Sequence, residues 1–252
     1  MRKRKLKVRF FMTCVILLLF IPACTVKRKV SYSLRQVEAV KISPFHNKSL
    51  GIRILKDARK PIEGELVKYT TSKRLFAKKK FGSLIRIDGV DWWFNSDEFY
   101  ESDSLNHAIT NMMARHVAES NTFSSVTIIK NKNLEDIQQE YILEGVIKKF
   151  EGFQERNEEA EFVSGGLFGD LAALQIKSRC KGTTEMELKL IERESGKIIW
   201  EGLICGFVDG EATASTDSYG GYYFANTSLY NAVNNFIQEI ELLGEAVATL
   251  IN

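Results

Sequence analysis

The chain has 252 residues, 44% hydrophobic and 27% charged, with 3 Pro and 17 Gly, a composition that excludes a disordered tail, a collagen-like fibre, a low-complexity linker and a polytopic membrane protein. The formal charge of +3 is unevenly placed: six of the 35 basic residues (Arg2, Lys3, Arg4, Lys5, Lys7 and Arg9) lie in the first 23, which hold no acid, so 29 basic residues face 32 acidic ones in the remainder. A remainder near −3 removes the charge argument for nucleic-acid binding.

Residues 2–9 form a basic n-region, and Phe10–Ile21 (FFMTCVILLLFI) is an apolar run. As a helix this run spans ~18 Å, short of a ~30 Å hydrocarbon core, which suits a secretory signal and not a stable span. It ends at Ile21-Pro22-Ala23-Cys24, which resembles the lipobox of bacterial lipoproteins. The resemblance implies cleavage before Cys24, a diacylglycerol on its sulfur and an acyl chain on the new amino group. The alternatives are an ordinary signal peptide or an uncleaved anchor. Two or more acyl chains hold a soluble domain on a bilayer where one holds it only marginally. Thr25 stands where the enterobacterial sorting pattern has Asp for inner-membrane retention, so the pattern points to the outer membrane, with the domain facing the periplasm. The chain divides into a signal peptide (1–23), a lipidated tether (24–33) and a single α+β periplasmic domain (34–252).

Leu34–Ile42 alternates and predicts a strand, followed by a break at Ser43-Pro44-Phe45. Leu50–Leu55 predicts a second strand. Lys73, Arg74, Lys78, Lys79 and Lys80 surround Leu75 and Phe76 in a basic stretch that is either a solvated loop or a contact to anionic headgroups. Leu84–Ile87 predicts a short strand, and Asp91-Trp92-Trp93-Phe94 an aromatic knot. Ser102 or Asp103 can cap a helix whose Leu105, Ile109, Met112, Met113 and Val117 share one face, with Asn121 ending it. Ser125–Ile129 and Tyr141–Phe150 predict strands, the latter central in a sheet. Val163–Leu174 (VSGGLFGDLAAL) is apolar and Gly-rich; Leu167, Phe168 and Leu171 are its candidate lipid or partner contacts, the alternative being a loop or short helix packed in the core.

Thr183–Glu192 and Ile198–Val208 predict a long hairpin about a turn at Glu194–Lys197. Asp209–Phe224, rich in Gly, Ser and Tyr, reads as a loop, either an adaptable recognition loop or a partly buried lid. The chain closes with a helix from Asn226 to Ile251, whose Leu229, Val233, Phe236, Ile240, Leu243, Val247 and Leu250 form a heptad stripe. The fold class is therefore α+β: a mostly antiparallel sheet with a long hairpin and two main helices packed on it.

Cys14 leaves with the signal and Cys24 takes lipid, so Cys180 and Cys205 remain in an oxidising compartment. A hairpin register pairing Cys205 with Met186 sets Cys180 six residues further along, about 20 Å away, too far for a disulfide. Two free, largely buried cysteines follow.

No constellation of catalytic residues emerges, and the chain reads as a non-enzyme. His46, His107 and His116 include no i, i+4 pair for zinc, and His116 beside Val117 reads as a half-buried helix residue. Ser195-Gly196-Lys197 lacks the earlier glycine of a phosphate loop, and Ile198 stands where Ser or Thr would hold magnesium. Glu158-Glu159 and Asp97-Glu98 sit in charged runs that suit a solvated face better than acid–base work. No metal or cofactor is implied beyond the covalent chains on Cys24.

The mature chain also resembles ABC-type transport auxiliary lipoproteins of the envelope. The resembling pieces, in order, are Val37–Ile42, Trp92-Trp93 with the helix Leu105–Val117 and strand Val126–Ile129, Tyr141-Ile142-Leu143-Glu144-Gly145, and Ser195–Trp200 before the last helix. The resemblance implies a lipid-anchored accessory protein that assists lipid transport through an envelope protein partner. Val40–Phe45 with the same strand-helix-strand order is similar to the amino-terminal domain of Tol-system translocation proteins and to lipoproteins that activate peptidoglycan synthases. An interaction module of that kind is one alternative, and a secretion-channel lipoprotein subunit is another. The oligomeric state stays open.

Overall fold

A computed structural model describes residues 29–34, 43, 45–68, 71–74, 77–80, 83–94, 104–130, 137–156, 176–213 and 220–251. The described strands are β1 (Ser49–Arg53), β2 (Lys56–Asp57), β3 (Glu65–Lys68), β4 (Thr71–Arg74), β5 (Ala77–Lys80), β6 (Ser83–Ile87), β7 (Val90–Phe94), β8 (Ser125–Ile129), β9 (Tyr141–Glu155), β10 (Lys177–Glu192) and β11 (Ile198–Thr213). Helix α1 spans Leu105–Glu119 and helix α2 spans Gly220–Ile251. Among the described strands, nine join one sheet with the path β11-β10-β9-β7-β6-β3, and β4 pairs with β5.

Strand β9 organises the sheet. One flank pairs along most of its length with β10; the other takes β1 and β2 near its start and β7 at its end. The class is α+β, but the sheet is mixed and not mostly antiparallel. Strand β1 runs parallel to both β8 and β9, and β2 runs parallel to β9. The reason is connectivity. Helix α1 lies between β1 and β8 in sequence and carries the chain back to the end where β1 began, so the next strand runs the same way.

Strand β10 alternates along its whole length. Ser178, Cys180, Gly182, Thr184, Met186, Leu188 and Leu190 face inward and alternate with a polar outward row. Helix α2 lies across this inner face on β9, β10 and β11. The approach is close: a Cβ at Gly206 would stand 1.9 Å from the Ser228 carbonyl oxygen, and one at Gly182 1.9 Å from that of Phe224. Only glycine lets the two backbones meet there. Between them the Thr184 and Ser228 hydroxyls pair at 2.7 Å in the core.

Helix α1 buries the five residues read from its spacing, with Thr110, Ala114 and His116 beside them. It starts after Ser104, in extended backbone, and stops at Asn121, whose φ of 57° is left-handed, as expected of a residue that ends a helix. Ser102 and Asp103, the expected caps, lie outside the described residues. In α2, Leu229, Val233, Phe236 and Ile240 of the heptad stripe are buried and Leu243 is half-buried. The helix begins six residues earlier than predicted, and β11 continues to Thr213. Tyr222 and Phe224, expected in a loop, are therefore buried helix residues, and burial against the core outweighs the weak helix preference of this stretch. The aromatic knot proves to be β7, where Trp92 packs with Ile85 and Phe153 in a small second core.

Candidate functional site

Cys24, Leu167, Phe168 and Leu171 lie outside the described residues, as do Cys14 and residues 35–42 of the predicted strand Leu34–Ile42, whose first residue, Leu34, is described and is not in a strand. The backbone around the basic stretch is a hairpin, β4 with β5, pairing Lys73 with Lys78. What the structure does place is the segment just downstream of Cys24, and one long sheet edge.

Val30, Tyr32 and Leu34 are half-buried and pack on the main core. The Ser31 amide donates to Asn226 Oδ1 at the start of α2 (3.2 Å). The Tyr32 hydroxyl meets His116 Nδ1 of α1 at 2.8 Å. The Tyr32 ring stands edge-on to both His116 (5.3 Å) and Tyr230 (5.2 Å), while His116 stacks on Tyr230 at 4.9 Å. The amino-terminal end of the domain is thus pinned to both helices at one seam.

His116 is only 2% exposed, and burial lowers its pKa from 6.5 to about 4, against a hydrogen bond to the Asn234 side chain that opposes the shift. The imidazole is neutral at neutral pH and serves as a packing and hydrogen-bonding group, in line with its reading as a helix residue. Burial likewise pushes the Tyr32 phenol well above its ordinary pKa, so it stays protonated and able to donate to His116. His46 lies apart, its Nδ1 against the Asn121 carbonyl at 3.2 Å. Among the described residues no group of three or more His, Cys, Asp or Glu is arranged to hold a metal.

The second feature is β11, the edge of the sheet among the described residues. Its outward row runs Glu201, Leu203, Cys205, Phe207, Asp209, Glu211. The charged ends are tied to β10 by Lys189–Glu201 (3.2 Å), Arg179–Asp209 (2.6 Å) and Lys177–Glu211 (3.1 Å). Between them Leu203 and Phe207 are 55% and 60% exposed. Glu187, opposite Leu203, and Glu185, opposite Cys205, turn instead to Lys148 and Lys149 of β9 (2.9 Å each). Helix α2 covers part of the free edge: Asn231 Nδ2 donates to the Phe207 carbonyl (3.2 Å), and Asn235 Nδ2 to that of Cys205 (2.8 Å). One turn on, Trp200 Nε1 donates to Glu239 (3.1 Å).

Cys180 and Cys205 are both free, as expected, but they are not both buried. Cys205 pairs with Glu185, not Met186, and is exposed. The turn sits one residue earlier than expected, with the Glu192 amide donating to the Lys197 carbonyl (2.9 Å), and the register slips between Leu190 and Ile191, leaving Ile199 unpaired. A one-residue slip turns a side chain to the other face. Cys180 stays inside, where burial pushes its thiol up to about 12.

The seam of Tyr32 had a signal in the sequence: Val30, Tyr32 and Leu34 alternate with polar residues through the stretch read as tether.

No family model and no curated protein matches the chain. Solved structures do resemble it. A DUF330 protein from Xanthomonas campestris superposes with a TM-score of 0.46 at 14% identity, covering 87% of this chain and 96% of its own. The PelC dodecamer from Paraburkholderia phytofirmans gives 0.36 at 12%, covering 80% and 94%. A candidate lipoprotein from Caulobacter crescentus gives 0.30 at 12%, covering 57% and 83%. At these scores the likenesses carry no argument about function.

Proposed function

We propose that the protein is a lipid-anchored, non-enzymatic accessory protein of the bacterial envelope, facing the periplasm from the outer membrane and assisting an ABC-type lipid transport system. The observation that carries the anchor is the junction: Ile21-Pro22-Ala23-Cys24 closes an apolar run, and the domain packs from Val30, six residues later. A lipidated Cys24 would hold such a domain at a membrane surface and leave its sheet free for a partner. The transport role draws support from the ordered resemblance of the mature chain to transport auxiliary lipoproteins, and the exposed Leu203 and Phe207 offer a place for a protein partner.

The test is affinity capture of the lipidated protein from gently solubilised envelopes, followed by mass spectrometry. An ABC-type permease or its ATPase is the expected companion, absent when L203E/F207E is captured in its place. Recovery of a peptidoglycan synthase or of Tol components with neither of these would overturn the transport role, and recovery only of large rings of this chain would replace it with a channel subunit.

A further inference from the structure

We infer that the end of the domain where α2 begins rests on the bilayer surface, with Tyr223 at the interface and the hairpin turn pointing away. The inference builds on the lipid anchor at Cys24 proposed above. Several described features meet at this end. Lys177 at the start of β10 pairs with Thr213 at the end of β11, and Cys180 pairs with Gln154 near the end of β9. Phe224 of α2 packs over Gly182 and Gly210, so the helix starts at the same level. Ser31 is bonded to Asn226, two residues beyond Phe224, and the chain then enters the seam at Tyr32.

Reach decides the orientation. Cys24 precedes Ser31 by seven residues, a span of ~25 Å at most when fully extended. Asn226 crosses the sheet level with Gly182–Thr184, so the turn, about ten residues further along β10, stands ~33 Å from Ser31. A chain pinned at Ser31 and lipidated at Cys24 cannot bring that turn to the membrane first. Two further features suit this end to headgroups. Lys27, Arg28 and Lys29 follow Cys24 in the short connection, where positive charge favours the phosphates of a leaflet. Tyr223 is 55% exposed on the first turn of α2, an amphipathic ring of the type that settles at the boundary between lipid and water.

The experiment uses the full lipidated chain, purified from membranes and reconstituted in phosphatidylethanolamine–phosphatidylglycerol vesicles. A nitroxide is attached to Y223C, to K177C or to E194C, each in a C205S background; Cys180 is buried and stays unlabelled. Collision with a water-soluble nickel chelate should fall on reconstitution for Y223C and K177C and stay unchanged for E194C, in the hairpin turn. K177C reads the same end should Y223C disturb the helix. Equal collision at all three sites, with the amino-terminal peptide carrying its acyl chains by mass, would overturn the orientation and leave the anchor standing. An amino-terminal peptide without acyl chains would overturn the anchor, and the orientation with it.

Discussion

His116 shows how far a residue can be read alone. Its place beside Val117 marked it as a helix residue and not a ligand, but its partner, Tyr32, is 84 residues away and lay in a stretch read as tether. The alternation of Val30, Tyr32 and Leu34 is a strand-like pattern too short to stand out beside Lys27-Arg28-Lys29. The seam has a pH signature. Its pKa is lowered on folding, so between pH 6.5 and about 4 the unfolded chain binds a proton at His116 that the folded chain does not. Stability therefore falls as pH falls through that window, and the deficit is complete below it. Urea midpoints at pH 7 and pH 4 should differ less in H116Q than in the wild type; an equal difference would show that His116 does not carry the effect. Loss of the tyrosine hydroxyl in Y32F should cost about 1 kcal/mol in urea denaturation. The cysteines give a simpler check. Cys205 should react with a maleimide in the native protein, and Cys180 only after unfolding.

At the scale of elements, strong periodicity was legible and pairing was not. Helix α1 and β8 match their expected spans closely because several apolar residues in each repeat at one spacing. The hairpin was clear too, yet its register turned on one unpaired residue, Ile199, which no period announces. Parallel pairing of β1 with β8 was hidden because direction depends on where α1 returns the chain. The close approach of α2 to the sheet yields a direct prediction. G206A forces a Cβ against the Ser228 carbonyl, and overpacking of this kind typically costs about 1–3 kcal/mol. Chemical denaturation measures it, and an unchanged midpoint would mean the helix can move aside. The asparagines of α2 guard the edge of β11. Replacing Asn231 and Asn235 together by alanine frees two edge carbonyls, so the variant should lose stability by about 1 kcal/mol per bond and should self-associate with rising concentration in sedimentation runs.

For the whole molecule, the proposed anchor and the proposed partner surface lie in different places. One end receives the amino-terminal segment through Ser31 and Tyr32, and the sheet edge, with Leu203 and Phe207, runs from it towards the turn. On the function proposed above, a chain lipidated near that end would stand on a membrane and present Leu203 and Phe207 to a partner beside it. None of the described helices is long and apolar enough to cross a membrane, and the attachment proposed above is the lipid on Cys24. The most direct measurement is mass spectrometry of the amino-terminal peptide from membranes of cells making the wild-type chain or C24A. The account predicts a wild-type peptide that begins at Cys24 and carries diacylglycerol and an N-acyl chain, and a C24A chain that keeps residues 1–23 and carries no lipid. A wild-type peptide that begins elsewhere, or begins at Cys24 without lipid, would contradict it.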